Sequence, residues 1–222
     1  QYLYITKGNE IFVNLYTANK AKLELDKGEV SFEVATDYPY EGSIRFRVLS
    51  AGEYAFNLRI PDWSRGKWSI KINDRAENFE VVDGYARAAR PWNEGDIIEL
   101  LLDVTPTRVY SNPKVASNVG KVAIQRGPLV YCLEEVDNGP GLQQVYLPKG
   151  AELKSVKVPN KLGGTVEVRA TGLRLKSGEP DTLYSYAEAP LEFEEVELTF
   201  IPYYLWANRG ENEMTVWVHE KA

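Results

Sequence analysis

Alternating apolar and polar residues, closely spaced turn signals and an almost complete lack of helical periodicity predict an all-β chain. The expected architecture is two consecutive antiparallel β-sandwich domains with little helix. Ser43–Leu49 sets Ile44, Phe46 and Val48 on one face and Arg45 and Arg47 on the other. Such period-two patterning buries one face of a strand and leaves the other in water. Glu53–Ile60 repeats it, with Tyr54, Phe56, Leu58 and Ile60 set against Ala55, Asn57 and Arg59. Val30, Phe32 and Val34 alternate with Ser31, Glu33 and Ala35, and Trp68, Ile70 and Ile72 alternate with Ser69 and Lys71. Lys27-Gly28, Ser50-Ala51-Gly52, Asn73-Asp74 and Asn93-Glu94-Gly95-Asp96 punctuate the runs as turns.

The pattern breaks at Asp103–Asn112, DVTPTRVYSN, where Pro106 and Pro113 bracket a short connection. A second strand set follows at Val122–Arg126, Leu129–Leu133, Gln144–Leu147, Thr165–Ala170, Val196–Phe200 and Glu213–His219. Only Pro113–Asn118 suits a helical turn, and Gly163-Gly164 and Ser177-Gly178 read as hairpin turns. The domains are therefore placed at residues 1–108 and 109–222. No repeat recurs at a fixed period, which argues against a solenoid or propeller.

Composition removes whole classes of function. The 222 residues carry 26 Lys plus Arg against 32 Asp plus Glu, a formal charge of −6, so no basic surface for nucleic acid is expected. No apolar run approaches the ~18–20 residues of a membrane helix, and nothing in the opening residues reads as a signal peptide. The sequence begins with Gln1 on the strand-like QYLYI, as a piece cut from a longer protein would. One cysteine rules out an intrachain disulfide and a multi-thiolate metal site.

A search for chemistry yields no catalytic, cofactor-binding or metal-ligating residue. His219 is the single histidine and sits on EMTVWVH, where a surface or edge-strand position is the simpler reading. Cys132, inside PLVYCLE, suits a small apolar side chain, since a reactive thiol needs a cationic or metal neighbour. Acidic groups at Glu134-Glu135 with Asp137, and at Glu192, Glu194, Glu195 and Glu197, lack the spacing of a calcium loop. With this many carboxylates, a pair at glycosidase separation arises by chance. The aromatics are the remaining lead. Trp63, Trp68, Trp92, Trp206, Trp217 and Tyr203-Tyr204 could stack on sugars, but core filling by Trp68 and Tyr54 and turn fixing by Trp92 and Trp206 weigh more. Tyr38-Pro39-Tyr40, in a loop, is the best exposed candidate.

Several segments, taken in order, resemble one family. They are YLYITKGNEIFVNLYTANKA (Tyr2–Ala21), LRIPDW (Leu58–Trp63), RPWNEGDIIEL (Arg90–Leu100), RVYSNPKVASNVGKVAIQRGPLVYCLEEVDN (Arg108–Asn138) and YYLWANRGENEMTVWV (Tyr203–Val218). Together they look like the C-terminal region of glycoside hydrolase family 127, the β-L-arabinofuranosidase-like bacterial enzymes. The resemblance implies that the active site lies elsewhere, in an (α/α)6 barrel preceding this region, where cysteines and a glutamate hold zinc and one thiolate is the nucleophile. The family's Cys-Cys pair falls just upstream of the segment matching Tyr2, and Cys132 matches no zinc ligand. The implied function is a non-catalytic region of an enzyme acting on plant-derived glycans, with the parent's compartment open between cytoplasm and periplasm. Residues 1–108 would pack on the protein's own N-terminal catalytic barrel, and 109–222 would form the distal domain, able to take part in a homodimer. Tyr2, Tyr4, Phe12, Tyr16, Tyr38 and Tyr40 are the barrel-docking or sugar-contact candidates. The alternative is an independent carbohydrate-binding module, which coplanar exposed rings would favour; a weaker third is a self-contained glycosidase with its own carboxylate pair.

Overall fold

The computed structural model describes residues 2–64, 66–176, 184 and 191–221; the expected Ser177-Gly178 turn lies outside them. The chain is mostly strand and divides into two compact units, Gln1–Val104 and Thr105–Ala222. The division precedes the expected one at 108 because Pro106–Val109 is a strand of the second unit, paired with Lys121–Arg126. Among the described residues no helix is long and apolar enough to cross a membrane.

The first unit contains β1 (Tyr4–Lys7), β2 (Glu10–Val13), β3 (Asn19–Leu25), β4 (Gly28–Thr36), β5 (Ser43–Val48), β6 (Gly52–Arg59), β7 (Trp68–Ile72), β8 (Arg75–Glu77), β9 (Val81–Val82), β10 (Tyr85–Trp92) and β11 (Ile97–Leu102). They form a five-stranded sheet, β1-β2-β6-β10-β9, and a six-stranded sheet, β3-β4-β5-β11-β7-β8. Pairing is antiparallel except where β2 lies parallel to β6. The alternating residues meet as predicted: Phe32 and Phe46 from one sheet pack on Phe56 from the other, with ring centroids 5.2 and 5.9 Å apart. Gly42 packs directly against the end of β11. Its carbonyl accepts the Leu102 N–H at 2.9 Å, and a Cβ there would stand 1.9 Å from the Leu102 carbonyl oxygen, so only glycine fits.

One expectation for β6 fails. Ala55 and Asn57, assigned to the water face, are 2% and 3% exposed. Glu10 on β2 and Arg87 on β10 flank them: Asn57 Nδ2 donates to Glu10 Oε2 at 3.0 Å, and Arg87 donates twice to Glu10 Oε1, at 3.1 and 2.8 Å. The centre of this outer sheet face is thus closed by a polar network.

The second unit contains β12 (Pro106–Val109), β13 (Lys121–Arg126), β14 (Leu129–Glu134), the one-turn helix α1 (Glu135–Asn138), β15 (Val145–Pro148), β16 (Lys154–Val158), β17 (Thr165–Leu175), β18 (Phe193–Pro202), β19 (Met214–Thr215) and β20 (Val218–Lys221). The β-sandwich expected here is built from one continuous ladder. It runs β13-β20-β15-β17-β18-β14, and β14 pairs back onto β13, so these strands close a circuit around Val122, Tyr131, Leu133, Val168, Leu198, Phe200 and Val218. The expected strand Glu213–His219 is two strands: Met214–Thr215 pairs with β14, whereas Val218–Lys221 lies between β13 and β15, parallel to the latter. His219 is therefore on an interior strand and not on an edge. Its half-buried ring stacks on Tyr146 at 5.2 Å, and burial, then nearby Lys121, lowers its pKa. The helical turn expected over 113–118 appears as a short 3-10 turn, Ala116–Asn118.

Candidate functional site

The six sequence-selected aromatics are not brought together. Tyr16 is buried: its ring meets Phe46 and Tyr38 edge-on, its hydroxyl donates to the Arg59 carbonyl, and burial raises its pKa. Tyr4, half-buried, faces the same core, edge-on to Phe32 at 5.2 Å, with its hydroxyl on Asn19 Oδ1 at 3.0 Å. Tyr38 and Tyr40 are half-buried, which corrects the exposed reading of that loop; Tyr38 stacks on Trp63 at 6.5 Å. Tyr2 is exposed, and Phe12 alone of the six lies on the outer face of the five-stranded sheet, edge-on to Tyr85 at 5.4 Å.

That outer face is distinctive. Beside the Glu10–Arg87–Asn57 network opens a groove of about 790 Å³, lined by Lys7, Phe12, Ala55, Ala89 and Pro91 among others. Hydrogen bonds from Arg87 outweigh partial desolvation and hold the Glu10 carboxyl below its usual pKa. Ile5 and Val82 are exposed on this face, with Tyr2 and Leu15 beside it, while Val81, across from the core residue Ala86, is exposed on the other side of the edge strand. The outer face of the six-stranded sheet instead carries ion pairs, Lys20–Glu33, Lys22–Glu29 and Arg45–Glu99, with Leu101 its exposed large apolar side chain among the described residues.

In the second unit the carboxylates of Glu134 and Asp137 meet the protein's own cations. Arg209 binds both, donating to Asp137 at 2.7 and 2.6 Å and closely to Glu134, which is fully buried. Lys161 joins Asp137 to Glu167 at 2.7 and 2.6 Å, and Arg169 adds two bonds to Glu167 at 2.9 and 2.8 Å. Among the described residues no group of three His, Cys, Asp or Glu could hold a metal ion. Above this network the turn after β18 displays Tyr203, Tyr204 and Trp206, which are 44%, 54% and 41% exposed.

Cys132 alternates with the core residues Tyr131 and Leu133 on β14 and is itself fully buried. Its charged surroundings are Glu134, Arg209 and Asp137, a cationic neighbour the sequence did not reveal, yet Arg209 is engaged by both carboxylates. Burial, then Glu134, pushes the thiol up to about 12. Ellman's reagent at pH 8 should label native Cys132 far more slowly than the urea-unfolded chain, and Cys132→Ala should cost roughly 1 kcal/mol from lost packing. Rapid native labelling would contradict this.

The chain is thus two β units in tandem, the first with a groove on the outer face of its five-stranded sheet. Residues 10–104 match the beta-L-arabinofuranosidase GH127 middle domain, and residues 106–219 match the glycoside hydrolase family 127 C-terminal domain. The chain belongs to glycoside hydrolase family 127. It is similar to the non-reducing end beta-L-arabinofuranosidase of Bifidobacterium longum subsp. longum, 33% identical over 229 residues, covering 97% of this chain and 34% of that protein. A solved GH127 β-L-arabinofuranosidase from Geobacillus stearothermophilus T6 superposes with a TM-score of 0.93 at 40% identity, over 99% of this chain and 35% of that one. Another solved GH127 β-arabinofuranosidase gives 0.90 at 34% identity, over 99% and 36%. The chain thus spans about a third of the length of these relatives.

Proposed function

We propose that this chain is the non-catalytic C-terminal β region of a bacterial β-L-arabinofuranosidase-like glycoside hydrolase acting on plant-derived glycans. Its first unit supports an (α/α)6 catalytic barrel of the same protein. The observation that carries this reading is the contrast between the two outer sheet faces. One carries cross-strand ion pairs along its strands; the other exposes Ile5 and Val82 on its two edge strands, around the Glu10–Arg87–Asn57 network. A contiguous apolar surface on a free domain marks an interaction site, and interdomain contacts bury ~600–1,500 Å². This reading puts the docking surface on the outer face of the five-stranded sheet, where Phe12 lies with the exposed Tyr2 beside it. Zinc and the nucleophilic thiolate belong to the barrel. This chain's residues do not fit such a centre, because Cys132 is enclosed and its acidic neighbours are spent on Arg209 and Lys161.

The chain alone is expected to release no nitrophenol from an aryl β-L-arabinofuranoside, with or without zinc. In the full-length protein, Ile5→Arg with Val82→Arg should lower activity and thermal stability while leaving the unfolding of this chain by itself unchanged. Zinc-dependent turnover by the chain, or a fully active double variant, would overturn the reading.

A further inference from the structure

The geometry assigns a stacking site for a neutral glycan to the turn Tyr203–Leu205 and the Trp206 that follows it. This goes beyond the docking role, since it lies in the second unit and uses none of the sheet-face residues. Trp92 is buried and Trp63, Trp68 and Trp217 are half-buried, so Trp206, at 41%, is the most exposed of the tryptophans. Its ring lies 22° from parallel to that of Tyr203, with centroids 6.0 Å apart. The core rings of the first unit, in contrast, mostly meet edge-on, as in Tyr4–Phe32 at 87°. Near-parallel exposed rings offer a common orientation to the flat C–H face of a sugar, which suits an aromatic surface as another ring does.

The turn is held ready. Trp206 N–H donates to the Tyr203 carbonyl at 3.0 Å, Asn208 Nδ2 to the Leu205 carbonyl at 2.9 Å, and Ala207 N–H to Glu134 Oε1 at 3.1 Å. Ala207 itself has a φ of +64°, a left-handed conformation that this web of bonds sustains. Arg209 then clamps the loop to Glu134 and Asp137. Little ordering entropy remains to be lost on binding. Charge selects the ligand class: the guanidinium at this loop is neutralised by two carboxylates, leaving the neutral amide of Asn208 beside the rings, so no anionic ligand is favoured. Membership of a glycoside hydrolase family makes carbohydrate the chemistry this surface meets. Three rings on one turn are far fewer than the ~20–30 residues a side of a standard protein interface.

The test is electrophoresis of the 222-residue chain through native gels containing arabinan, arabinogalactan or xylan. At least one of these polymers should retard it relative to a non-binding reference protein. Trp206→Ala and Tyr203→Ala should each weaken that binding on the order of tenfold without moving the unfolding midpoint, whereas Val119→Ala, at an exposed position elsewhere in the unit, should not. Retardation that survives Trp206→Ala, or none by any polymer, would overturn the site. So would self-association that depends on Trp206 in place of glycan binding. Each result leaves the docking role of the first unit standing, because that role is read from activity of the full-length protein.

Discussion

Arg209→Ala should destabilise the second unit by about 3–5 kcal/mol, the usual cost of removing one partner from a buried ion pair. Glu134 has no exposed surface, and its carboxylate is held by Arg209 and by the Ala207 N–H. Without the guanidinium a fully buried carboxylate is left with one backbone donor in a poor dielectric, which is costly. Amide exchange on β14 and β18 measures this locally, and unaltered protection there would contradict it. Arg209→Met combined with Glu134→Leu should recover much of the loss, because replacing both charges by apolar groups removes the desolvation penalty along with the attraction. Acid should act on the same network. Burial alone would raise the pKa of Asp137, but hydrogen bonds from Arg209 and Lys161 outweigh it and hold the carboxyl below its usual value. A depressed folded-state pKa contributes stability above the ordinary carboxylate pKa of about 3.9, which disappears as pH falls through the folded value. Asp137→Asn should flatten that acid limb of the stability curve.

Trp92→Ala should cost the first unit about 3–5 kcal/mol, the range for deleting a large buried aromatic. The indole is almost wholly enclosed, edge-on to Phe56 at 5.5 Å, and donates Nε1–H to the Tyr54 carbonyl at 3.0 Å. Arg90 lies over its ring at 5.6 Å, so the substitution opens a cavity and also removes the surface on which that guanidinium rests. Trp92→Phe should restore part of the loss by refilling the volume without the donor. Thermal unfolding of the two variants, with amide exchange on β6 and β10 locating the damage, checks the order. Equal stability of Ala and wild type would refute it.

What was legible in the sequence was local. Each strand of the first core carries its own alternation, and each is bounded by its own turn residues, so Ile44, Phe46, Tyr54 and Phe56 could be placed without knowing what they face. The failures are non-local. Ala55 and Asn57 were assigned to water because their cover comes from Glu10 and Arg87, on strands distant in the chain. Glu134 and Asp137 stood out only as an acidic group without calcium-loop spacing, because their cation lies 75 and 72 residues away. Helix α1 is a single turn, too short for a 3.6-residue period to register. Nothing in composition separates the exposed Trp206, on a turn after β18, from the buried Trp92, on β10 over the core; only the fold does. Family resemblance supplied what spacing could not.

The closed circuit of the second unit bears on how the protein is made. Residues 1–104 contain both sheets of the first core, and that core can assemble while the remainder is still being translated. The second unit has no such head start. Strand β20, residues 218–221, fills the position between β13 and β15, so the ring stays open until that segment leaves the ribosome. Until then Lys121 and Val122 of β13 and one edge of β15 lack their partner strand, and open edges of partly made chains invite pairing with neighbouring copies. Expression temperature and chaperone supply should therefore govern the yield of the second unit far more than that of the first.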